Sequence, residues 1–201
     1  MSVTDLAPND RSSLPQAWIA AVVYPDNTYP GPSFEALVRL CRDRGLSLAG
    51  VLQHQICVAP DRRCDVVLED LTTGHRTAIF EDRGVGASGC RLDEGALAEA
   101  TARVERNLAG GADLLVLNKF GKAECAGGGV VDLMAKAVDR GIPSIIGVPK
   151  SNLGAWREFA GDYAIELSGD IQEIGRWLAG LRASRQSREV GGRCIMTASP
   201  P

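Results

Sequence analysis

Residues 18–44 read WIAAVVYPDNTYPGPSFEALVRLCRDR, and this stretch decides the fold class. Trp18–Tyr24 is an unbroken apolar run, as a strand covered on both faces requires. Pro25–Pro32 carries three prolines and a glycine and predicts a loop. Ser33 is a suitable N-cap for a helix to about Arg44, with Phe34, Leu37, Val38, Leu40 and Cys41 on one face and Gly45 stopping it. A buried strand, a loop and an amphipathic helix make the opening of a parallel α/β sheet.

The same alternation continues outward. Leu46–Gln53 predicts a second strand. Cys64–Leu71 and Arg76–Phe80 predict two short strands joined at Thr72-Thr73-Gly74, a hairpin placed at a sheet edge. Helices follow at Asp93–Leu108, Val130–Arg140, Asn152–Ala160 and Ile171–Arg182, and strands at Asp113–Leu117, Pro143–Val148 and Tyr163–Leu167. The expected fold is therefore a mainly parallel α/β sheet with helices on both faces. Ligands of such sheets bind beyond the carboxyl ends of the strands. Here those ends are Tyr24–Pro32, Asn118–Gly129 and Val148–Leu153.

A chain of 201 residues with 45% hydrophobic and 23% charged residues fits one core-bearing domain. Residues 17–184 are expected to form it, between flexible tails at 1–16 and 185–201. A net charge of −3, from 22 basic and 25 acidic residues, leaves no general footprint for nucleic acid or an anionic membrane. MSVTDLAPNDRSSLPQ lacks the basic start and apolar stretch of a signal peptide, so a cytoplasmic location is expected. The six cysteines form no CxxC pair and read as free thiols rather than as a disulfide framework or zinc site.

Two loops carry the candidate chemistry. In LLVLNKFGKAE, residues 114–124, an apolar strand ends in Asn118 where a magnesium-holding strand would end in a carboxylate. Lys119 and Lys122 flank Gly121 and suit an anion clamp, although the same spacing suits a solvated loop. Asn118-Lys119 also begins a guanine-reading NKxD, but Gly121 occupies the Asp position. In EDRGVGASGCR, residues 81–91, Gly84, Gly86 and Gly89 allow backbone N–H groups to converge on an anion beside Ser88. Arg83 and Arg91 would close such a site, and Cys90 would be a thiolate candidate beside them. A mobile loop of small residues explains that composition equally well.

The loop after the first strand is no phosphate cradle by sequence. It lacks GxxxxGK[ST], and its prolines remove N–H donors. Catalytic constellations are sparse. His54 and His75 have no nearby ligand partner except Cys57, and Glu69 and Asp70 stand at a strand end, a position open to a general-acid or metal role but more commonly one of solvent exposure.

Four stretches together carry a family resemblance. They are RRCDVVLEDLTTGHRTAI (62–79), GCRLDEGAL (89–97), LLVLNKFGKAECAGGG (114–129) and GIPSIIGVPKSNLGAWREFAG (141–161). The chain resembles the bacterial domain-of-unknown-function family 2478 over about residues 17–168, and is distantly similar to P-loop nucleoside-triphosphatases of the cancer-related type. In those relatives the matching strand ends in DEIGKxE. The resemblance implies that Asn118 stands at the acid's position, and that Lys122 and Glu124 match the Lys and Glu. It implies a P-loop-like three-layer sandwich without its hydrolytic parts, and a link to molybdenum or nitrogenase metabolism.

The expected function is a non-hydrolysing nucleotide- or oxyanion-binding protein. Its ligand would be a small anion, molybdate or a nucleotide with Mg²⁺, held by Asn118, Lys119, Lys122, Glu124, Arg83, Gly86, Ser88, Cys90 and Arg91. The alternatives are a residual phosphohydrolase, a cysteine-dependent enzyme or a protein-interaction module. No nucleic-acid or membrane partner is expected, and a homo-oligomer is left open.

Overall fold

The computed structural model describes residues 17–56, 65–80, 92–117 and 119–181. Among the described residues, seven strands form one sheet in the order β4-β3-β2-β5-β6-β1-β7. They are β1 (Ile19–Tyr24), β2 (Leu48–Ile56), β3 (Asp65–Asp70), β4 (Arg76–Ala78), β5 (Leu114–Leu117), β6 (Ser144–Pro149) and β7 (Ala164–Leu167). The pairs β1–β6, β1–β7, β2–β5 and β5–β6 are parallel; β2–β3 and β3–β4 are antiparallel. The 72–74 hairpin therefore does sit at a sheet edge.

The helices are α1 (Gly31–Asp43), α2 (Glu94–Ala109), α3 (Lys122–Cys125), α4 (Val131–Asp139), α5 (Leu153–Ala160) and α6, residues 171–181. Phe34, Leu37 and Val38 of α1 and Ile174, Trp177 and Leu178 of α6 bury one face of the sheet. Val104 and Leu108 of α2, Leu133 and Met134 of α4 and Trp156 of α5 bury the other. This is the expected P-loop-like α/β sandwich, and strand alternation explains it: Ala20 and Val22 face one layer while Ala21 faces the other.

Two local readings need correction. Ser33 does not cap α1, which begins at Gly31 with Pro32 in its first turn; the Pro30 carbonyl accepts the N–H groups of both Ser33 and Phe34 (3.1 Å each). Asp70 is not a surface acid but is only 2% exposed. Its carboxylate accepts from the backbone N–H groups of Thr72 and Thr73 and from Asn107 of α2. Burial of a carboxylate is sustainable only with such a full set of donors.

Gly50 explains how β2 and β5 approach. At φ +115° it would, with a Cβ, place that atom 1.8 Å from the Val116 carbonyl oxygen. Beyond Gly50, β2 continues to Ile56 paired with β3, so this ribbon rises beside the carboxyl ends of the central strands.

Candidate functional site

The chain leaves β1 to cross over β6 and β5 towards β2, and leaves β6 to cross β1 towards β7. The direction of winding thus reverses between β1 and β6, whose last residues, Tyr24 and Pro149, are paired. Open parallel sheets form their ligand crevice at such a switch point.

The loops at this edge are tied together by side chains. The Ser151 backbone N–H donates to Asp26 Oδ1 (3.0 Å), joining the β1 and β6 loops across 125 residues. The Ser151 hydroxyl and N–H hold the Asp26 carboxyl below its ordinary range. Asn152 Nδ2 donates to the Phe120 carbonyl (2.8 Å) and joins the β6 and β5 loops. Asn27 is the one non-glycine residue at positive φ (59°) among the described residues. Beneath the β1 loop, Tyr29 stacks on Phe34 and meets Tyr24 edge-on. Burial, aided by the Asp26 charge, pushes the Tyr24 phenol up to about 12. Burial also raises that of Tyr29, whose hydroxyl lies beside the Gln53 backbone without a hydrogen bond of ordinary geometry.

The first turn of α1 offers little to an anion. The Gly31 N–H is given to the Tyr29 carbonyl, those of Ser33 and Phe34 to Pro30, and Pro32 has none. Donors for a phosphate at this helix start are thus consumed internally.

The loop after β5 is built differently. Phe120 is buried against Trp156 and Phe159, and its N–H donates to the Gly147 carbonyl (2.8 Å), so Lys119 is carried beside β6. Lys119 and Lys122 are exposed and have no ion-pair partner among the described residues. Lys150, just past β6, is exposed at the same edge. Glu124 lies at the third position of α3 and reaches back to the Gly121 N–H (2.8 Å) while accepting the Val130 N–H on its other oxygen (3.0 Å).

Of the candidate residues, the structure brings Lys119, Lys122 and Glu124 onto one short segment, Lys119 in the loop after β5 and the other two in α3. Asn118, Arg83, Gly86, Ser88, Cys90 and Arg91 lie outside the described residues. Asp26, Ser151 and Asn152 were not singled out by sequence reasoning, although both of their loops follow strand carboxyl ends. No group of three or more metal-ligating side chains occurs among the described residues, and none of their helices is long and apolar enough to cross a membrane.

A second polar cluster lies on the hairpin. Glu69 accepts from His54 Nε2 (3.0 Å) and Arg76 (3.1 Å), with Arg42 of α1 at 3.7 Å. Burial pushes the Glu69 carboxyl up, but Arg76 and His54 outweigh it and hold it below the usual range.

Comparison with known proteins gives the chain's family. No solved structure matches the chain. A protein of Bradyrhizobium diazoefficiens, "Molybdenum import ATP-binding protein ModC 2", is 32% identical over 178 residues, which are 87% of this chain. The chain spans only 19% of that relative's length. The family model described as "Protein of unknown function (DUF2478)" matches residues 19–177, from the first residue of β1 into α6, and the chain belongs to that family.

Proposed function

We propose that this protein binds a small oxyanion or a nucleotide at the carboxyl edge of its sheet without hydrolysing it, and serves molybdenum metabolism. The observation that carries the reading is the lysine pair. Lys119 and Lys122 stand exposed past β5, without an ion pair to any described carboxylate, at the edge where this class of sheet binds ligands. The consumed donors of the α1 start support loss of the hydrolytic cradle. An amide at Asn118, in place of a metal-holding acid, supports it too. The name of the Bradyrhizobium relative supports the molybdenum link and a nucleotide or molybdate as ligand.

Calorimetric titration with ATP plus Mg²⁺, GTP, molybdate, tungstate and phosphate tests this. Heat with at least one of them, and phosphate release no faster than in Glu124→Ala, is expected. Absence of both heat and thermal shift with all five overturns it. Mg²⁺-dependent release above that control would instead favour a residual phosphohydrolase.

One observation favours a second reading. The matched segment is about a fifth of a much longer relative, so it resides there beside other segments of one polypeptide. A module that works against a transport ATP-binding partner would fit that arrangement. Co-purification of such a partner from the native host distinguishes the two.

A further inference from the structure

Glu124, the carboxylate next to the lysine pair in sequence, forms no ion pair with either lysine among the described residues. Glu124 spends one oxygen on the Gly121 N–H and the other on the Val130 N–H. Those two amides are the two ends of the loop that includes Lys122, and Gly121 separates the two lysines in sequence. The Lys119 stem folds over Gly121: a Cβ there would lie 3.5 Å from Lys119 Cε and 3.2 Å from Glu124 Oε2. The space for the carboxylate comes from Gly129. At φ +63° it has no Cβ, and one built there would fall 1.9 Å from Glu124 Oε1. The loop is thus shaped around one acidic side chain bonded to backbone.

From this geometry we propose that Glu124 is a positioning residue of the anion site: it latches residues 121–130 so that Lys119 and Lys122 are presented together. The inference rests on the anion-binding reading above and assigns Glu124 a role other than ligand contact. A preformed site binds more tightly because the ordering cost is met before the ligand arrives.

Glu124→Gln is the informative variant. It keeps the size, replaces one acceptor oxygen with an NH₂ that faces a backbone N–H, and removes a negative charge that itself repels an anion, so a loss of affinity is read net of that relief. Gly129→Ala is its companion, since it displaces the carboxylate without altering any charge. Affinity is measured for whichever of molybdate, phosphate or ATP gives heat with the wild type, at a temperature where melting curves show every variant folded. Both variants are expected to bind about tenfold more weakly. The loss from Glu124→Gln should vanish in a Lys119→Ala/Lys122→Ala background, because the latch acts through the lysines. A purely structural role would leave that loss unchanged by the background. Wild-type affinity in Glu124→Gln, or an equal loss in both backgrounds, overturns the assignment. Amide exchange at Gly121 and Val130 separates the failures. If exchange speeds up in Glu124→Gln but no probe binds the wild type, the latch stands and the anion reading falls, taking the positioning role with it. If exchange is unchanged, the latch itself is wrong.

Discussion

Asn107 of α2 donates through one amide nitrogen to both oxygens of the buried Asp70 carboxylate, at 3.1 and 2.8 Å, across 37 residues of sequence. Asp70 also fixes the hairpin turn through Thr72 and Thr73, so one side chain ties the sheet edge to a covering helix. Asn107→Ala is expected to cost about 2 kcal/mol by leaving buried carboxylate oxygens short of donors. Asp70→Ala should cost more, roughly 3 kcal/mol, since it strands three N–H groups. Urea unfolding of both variants checks the order.

Gly50→Ala should be the most damaging single methyl addition among the described positions. The new carbon would meet the Val116 carbonyl at 1.8 Å, and backbone cannot swing aside as a side-chain end can. Loss of about 3 kcal/mol or more, or failure to fold, is the expected result by chemical denaturation.

Ser144 makes the opposite case. Its hydroxyl is fully buried in β6 without a partner among the described residues. Ser144→Ala removes that unmet polar group and should be neutral or stabilising by up to about 1 kcal/mol, read as a raised Tm.

Lys119→Ala and Lys122→Ala should each weaken anion binding roughly tenfold to a hundredfold, as loss of a charge-assisted contact does. Their stability should move by only about 0.5 kcal/mol, because both side chains are exposed. Calorimetry and melting on the same samples separate the effects.

Acid should loosen the hairpin through Glu69. Its folded carboxyl titrates below the unfolded one because Arg76 and His54 outweigh burial. The stability it contributes is therefore fully present above the unfolded value of about 4.3 and is lost as pH falls through the lower folded value. Tm measured from pH 6 to 3 should fall less steeply for Glu69→Gln than for wild type.

The sheet was legible because its signal is local and periodic: Ile19–Tyr24, Leu114–Leu117 and Ser144–Pro149 are apolar on both faces and flanked by glycine or proline turns. The Asp70 environment was not, since its decisive partner lies 37 residues away. α3 escaped notice for another reason: four residues carry no helical period, and a latch to Val130 has no sequence signature beyond Glu124 and Gly129. Lys119 and Lys122 were visible as a pair, but that the adjacent Glu124 is bonded to the Gly121 and Val130 amides rather than paired with them is apparent only in three dimensions.

The seven-stranded sheet ends in two very short borders, the three residues of β4 and the four of β7. Each carries charge: Arg76 stands on β4, and Glu166 on β7 is gripped by both nitrogens of the Arg157 fork at 2.6 and 2.9 Å. A foreign strand that tried to extend the sheet would gain few backbone bonds and would have to lie against an ion pair. Among the described residues, both rims are thereby guarded against strand-by-strand aggregation by brevity and charge.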